Sequence, residues 1–345
     1  MAEESSFDAR QYGSEFHSGF PPPPPPPVRA AAYELRPLTT GEILDRTFYL
    51  YRGNFWLFTG ISAVAAGAAT LTSMVQLIYQ HFSHPAKLAT AADILRSVPA
   101  ILIGFVAAVI YLVVYSVAHA ATVSAVTTLY LGDTTSNAQA FRAVKDRWLR
   151  YVGIALWQIW SSMWLIAVAF VPLVVASALL GVAGGGLVLE GLVAFVGFFA
   201  GGIYGMIAYI RNSLAVPVEV MEDLPVRAAM RRSKHLSAGT KGRIFLMFLL
   251  VFVLYMVAGG VQAPIGMMIV KAGPTGRIYL LQILSLFLNF VMTTLVTPVA
   301  AIALCLFYID QRVRKEGFDI EFLLDRSGPP VAVVLPVDAP VAEIP

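Results

Sequence analysis

The chain has a single cysteine, Cys305, set inside an apolar run. One thiol excludes an internal disulfide framework and any cysteine-based metal site within the chain, and it reads as a small buried apolar side chain. Charge is scarce as well. Only 13% of the 345 residues are Asp, Glu, Lys or Arg, about half the usual share in soluble domains. A formal net charge of +3 gives no basis for a nucleic-acid partner. The sequence also lacks a Ser–His–Asp order, a paired-carboxylate site, a Gly-rich phosphate loop and a His-Glu-x-x-His pattern. No catalytic residue, cofactor or metal is therefore assigned, and the chain is not read as an enzyme. The first 36 residues contain no apolar h-region, so no cleavable signal peptide is expected.

What the chain does have is length of apolar sequence. Hydrophobic residues make up 58% of it, in unbroken runs such as "SSMWLIAVAFVPLVVASALLGVA". About 20 residues of helix cross a ~30 Å hydrocarbon core, whereas a membrane barrel needs alternating segments of about ten. The pattern predicts an all-α polytopic membrane bundle with six transmembrane helices, near residues 55–80, 98–130, 151–180, 187–212, 244–270 and 278–309. Pro172, Pro264 and Pro298 fall inside spans, as kinks whose freed carbonyls need other donors. The "GVAGGG" run suggests a tight turn, and Gly201 and Gly202 a close helix contact.

Positive charge sets the orientation. Twenty of the 24 Lys and Arg fall in the two tails and alternate loops, leaving Lys87, Arg96, Lys271 and Arg277 on the other side. Both termini are thus expected in the cytoplasm. Residues 1–36 read as a disordered Pro-rich tail holding seven consecutive prolines, Pro21 to Pro27, which form either a stiff polyproline spacer or a docking segment. Residues 37–325 form the membrane domain. Residues 326–345 form a second disordered tail.

Three stretches precede odd-numbered spans and share a design. In "LTTGEILDRTFYLYRGNFW", Thr39 and Glu42 fit a capping box, and Leu44, Phe48, Tyr51 and Phe55 form one apolar stripe. "SNAQAFRAVKDRWLRYV" repeats this with Ser136, Gln139, Phe141, Val144, Trp148 and Tyr151. In "EDLPVRAAMRRSKHLSAG", Asp223 serves as N-cap, Pro225 begins the helix, and Val226, Ala229 or Met230, and Ser233 continue the spacing. Aligning Ile43, Ala140 and Ala229, which lie 97 and 89 residues apart, gives a pseudo-threefold repeat of a cytoplasmic interfacial amphipathic helix followed by a transmembrane hairpin.

With those residues in view, the chain resembles the multi-pass membrane-domain family of glycerophosphoryl diester phosphodiesterases. The stretches that carry the resemblance are "RPLTTGEILDRTFYLYRGNFW", "NSLAVPVEVMEDLPVRAAMRRSKHLSAG", "YIDQRVRKEGFDIEFLL" and, more weakly, "LYLGDTTSNAQAFRA". The resemblance implies a membrane module alone, set in the inner membrane of a bacterial cell. The diesterase activity of the named relatives sits in a separate soluble barrel, for which no stretch outside the spans is long enough, so no catalytic residue carries over.

Candidate sites follow from placement. Asp45, Arg46, Arg142, Arg147, Arg231, Arg232, Arg312 and Arg314 are candidates for contact with anionic lipid headgroups or a protein partner at the cytoplasmic face; the alternative is a solvated polar face that only fixes topology. In the closing motif, Asp310 and its neighbours read as a solvated charged ring able to pair with Arg231, Arg232 or Asp45. His119, Gln158 and Asn289 are the intramembrane polar candidates. Gln76 and Gln262 read as interhelical glue, Glu190 as an interfacial carboxylate, and His81 and His84 with Asp93 as an ordinary loop rather than a metal site. These observations favour a non-enzymatic scaffold or accessory protein in envelope homeostasis, with a transporter or flippase-like carrier as the alternative.

Overall fold

The computed structural model describes residues 36–82, 91–180, 187–271 and 276–327. Residues 1–35, with the polyproline run and His17, residues 328–345, the loop holding His84 and Lys87, and the "GVAGGG" turn lie outside the described residues, as do the side chains of His81, Asp93, Pro172 and Glu190; residues 326 and 327, expected in the second tail, end a helix. Among the described residues every regular element is helical.

Helix α1 (Thr40–Gly53) opens on the expected capping box. The Thr39 side chain accepts from the Glu42 amide, and the Glu42 carboxylate accepts from the Thr39 amide at 2.6 Å. Asn54 breaks the helix before α2 (Phe55–Phe82). Long α3 (Ala91–Tyr130) leads to α4 (Asn137–Val144), which has the second capping box at Ser136 and Gln139. A short turn of 3₁₀ helix, Lys145–Arg147, joins it to α5 (Trp148–Leu180), and α6 (Leu187–Asn212) follows. Two short helices come next, α7 (Ala215–Glu222) and α8 (Val226–Ser237). The chain then runs through α9 (Lys241–Lys271) and α10 (Gly276–Glu316) to α11 (Phe318–Ser327).

Four described stretches are long and apolar enough to cross a membrane: Phe55–Gln80, Ser97–Tyr130, Lys241–Lys271 and Ile278–Glu316. Helices α2, α3 and α10 pack together, α9 lies on α10, and α5 pairs with α6. Their outward faces carry large apolar side chains such as Phe105, Phe195, Phe252 and Leu280, more than half exposed. Such a surface has no place in water and suits a lipid solvent. True burial is concentrated at one end. There, residues 301–310 of α10 are all buried, with Phe58, Tyr151 and the short helices packed around them.

Three sequence expectations need correction. Asp223 is not the N-cap of α8; it ends α7 in a left-handed conformation with φ 52°, which Asp tolerates better than most residues. Pro225 takes the cap position without a side-chain bond. The stripe on α1 is also displaced, since the buried residues are Ile43, Thr47 and Leu50 while Phe48 is 41% exposed. Finally, of the two glycines expected at a close helix contact on α6, Gly201 is buried but Gly202 is not, and a tight approach falls at Gly205. A Cβ on Gly202 meets nothing, whereas one on Gly205 would sit 2.5 Å from the Ser162 carbonyl oxygen of α5.

Proline shapes the central helix. Pro298 has no N–H to give the carbonyl four residues back, and that carbonyl, Thr294 O, accepts instead from Ser62 Oγ of α2 at 2.7 Å. The neighbouring carbonyl is held as well, since the Tyr51 hydroxyl donates to Leu295 O at 3.0 Å. The proline thereby creates the acceptor that fixes α2, and through Tyr51 α1, onto α10.

Candidate functional site

The buried end of the bundle is also its charged end. At its centre lies Asp310, whose side chain is fully buried. Its carboxylate accepts from the backbone N–H of Leu38 at 2.7 Å, from Arg314 Nε at 2.9 Å and from an Arg243 guanidinium nitrogen at 3.1 Å. Both arginines also donate to the Leu38 carbonyl, at 2.8 and 2.6 Å. A buried carboxylate is tolerated only when paired and hydrogen-bonded, and here α9, α10 and the segment leading into α1 all contribute. Asp310 is therefore no member of a solvated ring.

A second centre lies on α7. Arg232 of α8 binds both oxygens of Glu222, at 3.1 and 2.9 Å, and Tyr308 of α10 donates to Glu222 at 2.6 Å. Arg232 reaches on to Glu316 at 2.7 Å, and Arg312 links Glu316 to Glu321 of α11. Lys315 donates to the carbonyls of His235, Leu236 and Ala238, capping the C-terminal end of α8, where a cation is favoured by the helix dipole. Glu219, one turn before Asp223, is fully buried beside Arg147 and Arg150. Burial pushes its carboxyl above the ordinary carboxylate range, against the opposing pull of Tyr151 and the two arginines.

The eight charged candidates thus separate into two groups. Arg147, Arg232, Arg312 and Arg314 are engaged in internal ion pairs, and Arg46 of α1 is bound to the Tyr130 hydroxyl of α3. Asp45, Arg142 and Arg231 point outward and make no ion pair among the described residues. Sequence reasoning missed three further exposed cations of the same kind, Arg52, Lys145 and Arg227, and also Lys241. It missed Glu219 as well, because a lone Glu in an apolar stretch gives no sign of the arginines that will meet it.

The intramembrane candidates do not converge. Gln158 of α5 donates to Asn212 O at 2.9 Å, and Asn212 donates to Ser161 Oγ at 2.8 Å, fastening α5 to α6. His119 stacks on Tyr115 of its own helix. Asn289 is exposed and accepts only from Thr293 on the next turn of α10. Among the described residues no cluster of three metal-ligating side chains occurs, and Cys305 is buried beside Thr127 Oγ1 at 3.6 Å.

Long apolar helices with lipid-suited surfaces, gathered on an ionic base, define a helical membrane protein. The chain belongs to the family called domain of unknown function DUF8558, whose model matches residues 67–328. Neither the curated proteins nor the solved structures contain a match.

Proposed function

We propose that this protein is a non-enzymatic membrane scaffold or accessory protein that holds anionic lipid, and through it or beside it a protein partner, against its cytoplasmic base. In this reading all six long helices span a bacterial inner membrane and both termini are cytoplasmic. Support comes from the Lys and Arg distribution and from the lengths of α5 and α6, 33 and 26 residues, which at 1.5 Å per residue exceed a ~30 Å core. The repeat has support in burial: Ile43, Ala140 and Ala229 are each buried on α1, α4 and α8, and so are Thr47, Val144 and Ser233 one turn later. The likeness to the membrane domains of glycerophosphoryl diester phosphodiesterases fits an envelope role of this kind.

The observation that carries the proposal is the division of charge. The acids of the base are largely tied to internal arginines, while Arg52, Arg142, Lys145, Arg227, Arg231 and Lys241 face outward without an ion pair among the described residues. Trp56 and Trp148 stand exposed at the first turns of α2 and α5, where indole rings anchor at the headgroup level. Each outward cation near an anionic surface adds roughly 1 kcal/mol of attraction. A carrier pathway has less support, since Gln158 is bonded between helices and Asn289 faces outward.

The test is the thermal stabilisation of the full chain in nanodiscs as phosphatidylglycerol replaces phosphatidylcholine. Wild type should gain stability, and the triple variant Arg142→Gln, Arg227→Gln, Arg231→Gln should lose most of that gain. An equal gain in both would sink the lipid reading.

A further inference from the structure

At the end of the bundle opposite the base, α2, α9 and α10 line an open pocket of about 210 Å³. Its polar wall is Ser73, Gln76 and Gln80 of α2 with Gln282 and Ser285 of α10. Spacings of three and four put the α2 residues on one face, and the α10 pair is three apart. No lining residue carries a charge. Gln282 Oε1 lies behind this wall, buried and with no hydrogen-bond partner among the described residues; a buried acceptor left unpaired is a standing cost, which a turn of the amide towards a donor in the pocket relieves.

Two residues of that pocket, Leu77 and Leu286, also line an apolar groove of about 500 Å³ between α2 and α10. The groove extends from Phe82 and Tyr279, at the helix ends, to Thr70 and Phe290. The rise from Thr70 to Phe82 is ~18 Å, close to one leaflet's half of a ~30 Å core. The polar pocket lies beside the middle of this groove, its α2 residues between Thr70 and Phe82 and its α10 residues between Tyr279 and Phe290.

We propose that pocket and groove together bind a neutral lipid, with a small uncharged hydroxyl-bearing head among the glutamines and serines and one hydrocarbon chain along the groove. With the Gln282 amide turned into the pocket, the head hydroxyl donates to its Oε1, and the amide N–H groups of the other glutamines are donors for the head's oxygens. A phosphate finds no cation in the lining, so charged headgroups are disfavoured. The volume, equal to about seven waters at ~30 Å³ each, suits a head the size of glycerol. This site is separate from the cationic base and stands or falls independently of it.

The experiment is native mass spectrometry of the full chain released from phosphatidylcholine nanodiscs doped with dioleoylglycerol, its O-methyl ether, or phosphatidylglycerol. Wild type should retain dioleoylglycerol about tenfold better than the ether, whose hydroxyl donor is gone. Gln282→Leu should erase that preference, and Leu286→Trp, which fills the groove, should reduce retention of both neutral lipids. Equal retention of dioleoylglycerol and its ether by the unaltered protein would overturn the proposal, as would preferential retention of phosphatidylglycerol that Gln282→Leu abolishes. The ether comparison requires no mutation, so a folding defect cannot obscure it.

Discussion

Asp310 holds the backbone amide of Leu38 at 2.7 Å across 272 residues of chain. The same carboxylate collects Arg243 and Arg314, which then close on the Leu38 carbonyl. Both polar groups of one peptide-chain residue are thereby tied to the last long helix and its neighbour. Removing the acid leaves two partly buried guanidinium groups facing each other without their anion. Breaking a buried pair costs about 3–5 kcal/mol. Asp310→Ala should fall near the lower bound, ~3 kcal/mol, because Arg243 and Arg314 retain 24% and 38% exposure. Unfolding in mixed micelles measures this, and the Leu38 amide should lose its protection from hydrogen exchange in the variant.

Gly205 and Gly202 predict opposite signs from the same substitution. A methyl group at Gly205 meets the Ser162 carbonyl, which is helix backbone and cannot step aside. Gly205→Ala should therefore destabilise by about 1–3 kcal/mol, as overpacked sites do. Gly202 faces open space, so Gly202→Ala should stabilise by up to ~1 kcal/mol through helix propensity. Paired melting curves check both.

The bond from Ser62 to the carbonyl freed by Pro298 calls for a double-mutant cycle. Ser62→Ala alone should cost about 1–3 kcal/mol, since Thr294 O is then buried without a donor. With Pro298→Ala in place, residue 298 regains an N–H for that carbonyl, and the cost of Ser62→Ala should shrink. An unchanged cost in the Pro298→Ala background would mean that the serine acts through something else.

Glu219 gives the base a pH dependence. Its carboxyl is raised above the ordinary value of 4.5 by burial, so the folded state favours the protonated form more than the unfolded chain does. Its stabilising contribution is complete below the unfolded value and declines as pH rises towards the folded one. The melting temperature of wild type minus that of Glu219→Gln should thus be larger at pH 4.5 than at pH 7. A flat difference across that range would mean that Arg147 and Arg150 fully offset the burial.

Cys305 serves as a reporter because it is the single thiol of the chain and is buried beside Thr127. A maleimide should leave the native protein unlabelled and react stoichiometrically once it unfolds. The labelling rate against denaturant then reports global opening for every variant above.

Local signals in the sequence translated well. The Thr39–Glu42 and Ser136–Gln139 capping boxes involve residues three apart, and both form. The apolar runs mark the long helices because no other secondary structure satisfies that much backbone in lipid. Helix α7 was not legible: its eight residues, with Pro217 in the first turn, fall between the span expected to end at 212 and the helix expected after Asp223, and no helix was expected there. Nor was α11, which starts afresh after Gly317 turns the chain at φ 66°.

Burial of charge was the larger omission. Nothing near Asp310 in sequence distinguishes it from the exposed Asp45, and only the approach of Leu38 and Arg243 from remote segments makes it a core residue. The α1 stripe slipped for a related reason. Periodicity finds an apolar face, but the neighbouring helix decides whether Ile43 or Phe48 is covered. The outward cations were partly legible, since Arg142 and Arg231 lie at matching places in the repeat. The internal pairing of Arg232 and Arg314 was not, because it depends on acids of other helices.

The Leu38 clamp also sets an order of events during synthesis. Leu38 leaves the ribosome long before its partner Asp310 exists, and at ~5–20 residues per second the delay is roughly 14–54 s. Over that interval every helix from α1 to α9 has been made, yet the amide and carbonyl of Leu38 lack their final partners. The first hairpins must therefore enter the bilayer unlatched, and the base assembles only after α10 arrives. A chain stalled before residue 310 would carry its early helices without the lock that joins them.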